Sequence, residues 1–331
     1  MKASVIGGGS WGSAVALHLS RKNINTHLWI REKHIFEDVV QSRENKTFLP
    51  GFLFPSSVSF FHDMEECVRS TDIVFIAVPS KFCREIYTKL QPYLGSNQII
   101  VSLTKGIEDG TLKRMSEVMT ELLSPHFIPR IAVLSGPSFA KEVAATHPTA
   151  VVVASEDSAV AKDVQYLVSG AYLRAYTSKD VLGVEIAGAL KNVVAIAAGI
   201  SAGLQFGDNS RAALITRGLA EIARLGIKLG AKKETFAGLT GVGDLVLTCT
   251  GQLSRNHYVG YEIGQGKQLD EIVSHMKMVA EGITTTLSGY QLAQRENVEM
   301  PIHEQAYLVL YKNKDPRTAL QDLMARKLKD E

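Results

Sequence analysis

The chain has 331 residues, 45% of them hydrophobic and 21% charged, with a net charge of +2 and no Lys/Arg-rich block. That length suits two domains with cores of their own, and the charge balance gives no support to nucleic-acid or membrane-surface binding. Cys67, Cys83 and Cys249 show no paired spacing and the nine His residues form no metal-ligand pattern, so neither a disulfide framework nor a metal site is expected, and a cytoplasmic, reducing setting is.

The elements begin almost at Met1, with KASVIGGGSWGSAVALHLSRKNINTHLWIR over residues 2–31. This reads as an apolar strand, a Gly-rich turn, an Ala-rich amphipathic helix and a second strand ending at Arg31. A first strand so close to Met1 leaves no room for a signal peptide. The turn is G-x-G-x-x-G in the strand-to-helix setting that gives the pattern its meaning. Gly7 permits the tight turn, Gly9 lets the backbone approach a pyrophosphate, and Gly12 lets the helix pack close to the sheet. An NAD-selective site puts Asp or Glu at the end of the second strand, for the ribose 2′-hydroxyl. Arg31 stands there instead. A cation suits a 2′-phosphate, so NADPH is favoured over NADH, although Glu32 follows at once and blurs the preference. The alternative for Arg31 is a solvated surface side chain.

Further strands are expected at Asp72–Pro79, Gln98–Leu103, Arg130–Gly136, Thr149–Ser155 and Tyr172–Ser178. Most are continuously apolar, as in a parallel sheet covered on both faces. Residues 45–55, NKTFLPGFLFP, read as a long loop with an apolar tip beside the cofactor pocket. After Ser178 the strand signals nearly vanish. A long Ala/Gly-rich helix spans about 180–204, and helical patterns follow near 211–229, 259–264, 269–275, 284–296 and 302–311. The longest apolar stretch, near Val193–Leu204, is too short and Gly-rich to span a bilayer. The expected fold is α/β: a Rossmann-like, doubly wound, mostly parallel sheet over residues 1–180, the dinucleotide-binding domain, then an all-helical substrate-binding and catalytic domain over 181–331.

Lys191 stands out in EIAGALKNVVAIAAG. A lysine among Ala, Gly, Val and Ile is rarely buried without a partner or purpose, and desolvation brings an amine toward the range useful for proton transfer. The alternative is a lysine that snorkels along one polar stripe. The second cluster is GLTGVGDL over 238–245, with Thr248-Cys249-Thr250 and Ser254-Arg255-Asn256 after it. Gly-rich turns leave amides to face an anion, Arg255 offers a fork for phosphate, and Asp244 can accept from an ammonium. The alternatives are Ser254 as a helix cap beside a solvated Arg255, and Cys249 as a small buried hydrophobe. No G-x-S-x-G elbow or metal-protease pattern appears.

The segments GGGSWG, IAVPS, SLTKGIE, LSGPSFAKEV, EIAGALKNVVAIAAGI, GLTGVGDLVLTCTG, SRNHYVG and VAEGITTT run in order from Gly7 to Thr286. Together they resemble the bacterial type of glycerol-3-phosphate dehydrogenase over nearly the whole chain. Ile30 and Glu32 depart from that family's pattern, and the second departure bears on cofactor preference rather than on the reaction. The resemblance implies NAD(P)H-dependent interconversion of dihydroxyacetone phosphate and sn-glycerol 3-phosphate, supplying glycerophospholipid synthesis. It implies that Ser10, Trp11, Arg31 and Ala140 contact the cofactor, and that Lys105 lies between cofactor and substrate. Gly136 and Ser138 would approach the substrate, and Lys191 would donate or accept the proton. Asp244, Ser254, Arg255 and Asn256 would hold the substrate. Val279 and Glu281 would close over the nicotinamide, with Arg255 touching both ligands. A homodimer is compatible with the sequence, which does not dictate one. The rival readings are another small 2-hydroxy or 2-oxo acid dehydrogenase of this architecture and a non-catalytic dinucleotide-sensing module.

Overall fold

A computed structural model describes residues 1–328 and 330. Its strands are β1 (Lys2–Ile6), β2 (Asn25–Trp29), β3 (Val58–Phe61), β4 (Ile73–Ile76), β5 (Ile99–Ser102), β6 (Arg130–Ser135), β7 (Thr149–Ala154) and β8 (Leu173–Ser178). They form one sheet in the order β3-β2-β1-β4-β5-β6-β7-β8, parallel throughout except for the β6–β7 pair. Between them run α1 (Ser10–Arg21), α2 (Lys33–Ser42), α3 (Met64–Val68), α4 (Ser80–Leu90), α5 (Met115–Leu123), α6 (Ala140–Ala144) and α7 (Ser158–Val168). The rest is helical: α8 (Val181–Gly203), α9 (Asp208–Lys228), α10 (Lys233–Phe236), α11 (Asp244–Thr250), α12 (Arg255–Gly264), α13 (Leu269–Ser274), α14 (Glu281–Arg295), α15 (Pro301–Lys312) and α16 (Pro316–Met324). The expected fold class holds.

Two compact units divide the chain: Met1–Lys105 with Lys113–Glu185, and Gly106–Leu112 with Ile186 onward. In the first unit, every residue of β4 and β5 is buried, because helices cover both faces of the sheet. One core layer gathers Val5, Leu17, Leu28, Phe75 and Val101; the other gathers Ile6, Ile76, Tyr87, Ile100 and Met119. Strand β3 was not expected from the sequence. It is an edge strand of four residues behind Pro55, with Val58 buried, Ser59 exposed and the two phenylalanines half-buried, too short to read as a run. At the end of this unit Glu185 accepts from Ser116 N at 2.8 Å and from Arg114 Nη1 at 2.7 Å. Burial pushes its carboxyl up, and Arg114 and Ser116 oppose that shift.

In the second unit, α8 is the core helix. It runs 23 residues and, among the described residues, is the one helix long and apolar enough to cross a membrane. The stretch read from the sequence was shorter because Glu185 and Lys191 interrupt it. Of its most apolar window, 83% lies inside the protein, which makes it a core helix. Helix α12 packs backbone to backbone against it through four glycines. A Cβ at Gly199 would lie 2.1 Å from His257 O, and one at Gly260 would lie 2.0 Å from Ile196 O. Gly203 and Gly264, each four residues on, repeat the contact one turn later. Glu221 of α9 caps α15 by accepting from Ile302 N at 2.8 Å and from His303 Nδ1 at 2.8 Å.

Any side chain in this seam forces the helices apart. Gly260→Ala is expected to cost about 1–3 kcal/mol and to lower Tm by about 3–10 °C. Gly95→Ala, where nothing lies within 4 Å, serves as the control and should stay within about 0.5 kcal/mol of the parent. Thermal melts followed by circular dichroism compare the two, and equal Tm values would refute the close seam.

Candidate functional site

Ligands of a doubly wound sheet bind at the carboxyl ends of its strands, where the order reverses. In the first unit that point lies between β1 and β4, and the Gly-rich turn occupies it. Gly7 has φ +126°, and a Cβ on it would lie 2.5 Å from Ala77 O. A Cβ on Gly12 would lie 1.9 Å from Gly7 O. Gly9 differs, since nothing lies within 4 Å of where its Cβ would be. Two glycines are therefore demanded by the protein's own packing, and the middle one faces open space at the N-terminus of α1. That cradle fits a dinucleotide pyrophosphate. The 45–55 loop is fastened to it: Asn45 Nδ2 donates to Gly8 O at 2.7 Å and Ser13 Oγ at 2.9 Å, and Ser10 Oγ donates to Phe48 O at 2.6 Å. Leu49 and Phe54 are buried, and Leu53 is the exposed tip. Trp11 and Ala140 are half-buried against the core.

Arg31, just past β2, is exposed, with its guanidinium 5.1 Å from the centre of the Phe82 ring. Its Nε and Nη2 donate to Glu32 Oε1 at 2.9 and 2.6 Å. At the end of β5, Lys105 Nζ donates to Gly136 O at 3.0 Å, and Ser138 Oγ donates to the same oxygen at 2.9 Å. Gly136 has φ +132°, which favours glycine there.

The second unit holds a buried ammonium. Lys191 is 5% exposed. Its Nζ donates to Thr248 Oγ1 at 2.6 Å and to Asn192 Oδ1 at 3.2 Å, and lies 3.3 Å from Asp244 Oδ1. Thr248 gives its own proton to Asp244 O at 2.6 Å, which leaves a lone pair toward the lysine. Asn192 Oδ1 also accepts from Asn256 Nδ2 at 2.8 Å, and Asn256 Oδ1 accepts from Gly282 N at 2.9 Å. Helices α8, α11, α12 and α14 thus meet in one polar chain inside an apolar core. Snorkelling does not describe Lys191. Cys249 is fully buried beside it; burial pushes its thiol up to about 12, so it is the inert hydrophobe the sequence suggested.

Ser254 caps α12 by accepting from His257 N at 3.2 Å, and this cap holds Arg255 and Asn256 in the first turn. Arg255 is exposed; desolvation lowers its pKa, with Glu281 opposing. Its ordinary value is high enough that it stays a cation. Val279 is half-buried, and Glu281 begins α14. The Gly-rich loop before α11 winds into a wide π-type turn, Leu239–Gly243, in which Gly243 N donates to Gly238 O at 3.2 Å, and a Cβ on Gly241 would lie 2.0 Å from Phe236 O.

Residues 2–161 match the family described as NAD-dependent glycerol-3-phosphate dehydrogenase N-terminus, and residues 180–321 match the C-terminus of the same family. The chain belongs to the NAD-dependent glycerol-3-phosphate dehydrogenase family. It is therefore grouped with NAD(P)-dependent oxidoreductases. It is 51% identical over 331 residues to the glycerol-3-phosphate dehydrogenase [NAD(P)+] of Syntrophotalea carbinolica, covering 100% of this chain and 99% of that one. It is 52% identical over 330 residues to the enzyme of the same name from Citrifermentans bemidjiense, covering 100% and 98%. The crystal structure of glycerol-3-phosphate dehydrogenase from Coxiella burnetii superimposes with a TM-score of 0.95 at 39% identity, covering 98% and 99% of the two chains.

Within this family frame, the structure brings Lys191, Asp244 and Asn256 into one network and leaves Arg255 at its own helix start. Asn192, Thr248 and Asn45 were not among the expected site residues. Thr248 carried a signal, since it follows Asp244 by four residues on one helix face. Asn45 carried none, because its partners are distant in sequence. Gly9→Ala is expected to keep the fold, with Tm moving by less than about 1 kcal/mol in equivalent stability, and to weaken NAD(P)H binding by about 10–100-fold. Gly12→Ala is expected to lose stability instead. Cofactor fluorescence titration alongside thermal melts separates the two, and undiminished binding by Gly9→Ala would rule out the cradle.

Proposed function

We propose that this protein interconverts dihydroxyacetone phosphate and sn-glycerol 3-phosphate, with the Gly-rich turn holding the dinucleotide and Lys191 moving the proton. The observation that carries this reading is the buried ammonium of Lys191, held by Asp244, Thr248 and Asn192. A bound nicotinamide cofactor supplies the hydride. As the C2 carbonyl is reduced, negative charge develops on its oxygen, and Lys191 Nζ stabilises that charge and gives up a proton to complete the hydroxyl. In the reverse direction the neutral amine takes the proton back. Asp244 and Thr248 keep Nζ in place through both states. Arg255, Asn256 and Ser254, at the first turn of α12, grip the substrate phosphate, and that remote binding energy orients the carbonyl. Lys105, Gly136 and Ser138 belong to the substrate side of the first unit's strand ends; Ser10, Trp11, Arg31, Ala140, Val279 and Glu281 belong to the cofactor.

Arg31 favours NADPH over NADH through the 2′-phosphate, as a cation at the end of β2 should. The three cysteines are buried thiols, which supports a cytoplasmic setting. The product feeds glycerophospholipid synthesis. Oxidation of NADPH dependent on dihydroxyacetone phosphate, followed by absorbance, tests the activity directly; no turnover would refute it.

Lys191→Ala should lower kcat by about 10²–10⁴-fold while NADPH affinity barely changes. Near-parental turnover would remove Lys191 from the mechanism. Arg255→Ala should lower kcat/KM for the phosphorylated substrate by about 10–150-fold, the worth of one charge-assisted contact. Unphosphorylated dihydroxyacetone is the control substrate, and an equal loss with it would show that Arg255 does not hold the phosphate.

A further inference from the structure

The side chain of Glu32 is placed where it has an ordinary use and does not take it. Glu32 is the N-cap of α2, yet it makes no side-chain cap hydrogen bond. Its carboxylate turns back to Arg31 and takes both Nε and Nη2 on one oxygen, at 2.9 and 2.6 Å. Those two donors form the edge with which a guanidinium grips a phosphate. The guanidinium carbon lies 5.1 Å from the centre of the Phe82 ring, and the Lys81 ammonium lies 4.8 Å from the same centre. Glu85 also feels the charge of Arg31, but its own carboxylate is bound to Lys89. The carboxylate that contacts Arg31 is therefore that of Glu32.

A 2′-phosphate on the adenosine ribose needs the edge that Glu32 occupies, and it meets a like charge there. A 2′-hydroxyl needs an acceptor, and a carboxylate at this slot is the usual one. We propose that Arg31 and Glu32 form a single two-way reader of the adenosine ribose, in which Glu32 is the residue that keeps NADH in use and restrains the preference for NADPH. With the phosphorylated ribose, Glu32 leaves the Arg31 edge and swings to solvent. With the unphosphorylated ribose, it stays and accepts from the hydroxyl. The inference rests on the reading of Arg31 as the residue at the cofactor ribose.

Four proteins test it: the parent, Glu32→Gln, Arg31→Gln and the double variant. Dissociation constants for NADPH and NADH come from cofactor fluorescence at low ionic strength, where an exposed pair is least screened. Calorimetry with adenosine 2′,5′-bisphosphate and with AMP isolates the ribose from the nicotinamide. Glu32→Gln should shift the NADPH-to-NADH affinity ratio by about tenfold toward NADPH, tightening NADPH and loosening NADH. The bisphosphate should gain over AMP by a similar factor. In the Arg31→Gln background the gain for NADPH should fall below about threefold, because the carboxylate acts through the guanidinium. A structural role for Glu32 would instead move both cofactors together. If Arg31→Gln shifts the ratio and Glu32→Gln does not, the two-way reader is wrong and the reading of Arg31 stands. If neither shifts it, the ribose lies elsewhere and both fall.

Discussion

Burying one ammonium constrains most of the second unit. A charge removed from water costs several kcal/mol unless partners surround it. Lys191 lies on the core helix, so those partners must come from other helices. Asp244 and Thr248 arrive on α11, one turn apart, and Asn256 arrives at the start of α12 and reaches the lysine through Asn192. Gly282 at the start of α14 closes the chain through its amide. Each partner has a second hydrogen bond of its own, so none is held by the lysine alone. The surroundings of Nζ are therefore set by backbone positions on several helices.

The glycine seam is what allows those partners to reach. Helices that pack through ordinary side chains sit about 8–10 Å apart. Asn192 and Asn256 touch at 2.8 Å beside this seam, where a Cβ at Gly199 or Gly260 would overlap the facing backbone. Gly199, Gly203, Gly260 and Gly264 provide the approach, and their spacing of four places them on one face of each helix.

The periodic features of this fold were legible in the sequence. The continuous apolar runs of β4 and β5, the strand–glycine–helix opening and the change to helices after Ser178 all follow from local pattern, and all appear in the structure. Strand β3 was not legible, because four residues at a sheet edge carry too little pattern. Lys191 was conspicuous, since a charge in an apolar helix contradicts its surroundings. Asn192 and Asn45 were not, because an amide is unremarkable until its partners, 64 and 37 residues away, are known. The packing role of Gly241 was not legible for a related reason. Glycine marks either an open amide or a close contact, and Gly241 is needed for contact with Phe236 O, which no local pattern announces.

The two charged sites of the chain differ in how they are built, and this bears on what each can tolerate. Lys191 is buried and depends on residues from several helices, so removing Asp244 leaves an uncompensated charge. Arg31 is exposed and paired with its immediate neighbour, an arrangement worth under about 1 kcal/mol to folding. A substitution at Arg31 or Glu32 therefore leaves the core undisturbed. The exposed pair sits on a cheaply altered surface, whereas the buried ammonium sits in a network that resists change.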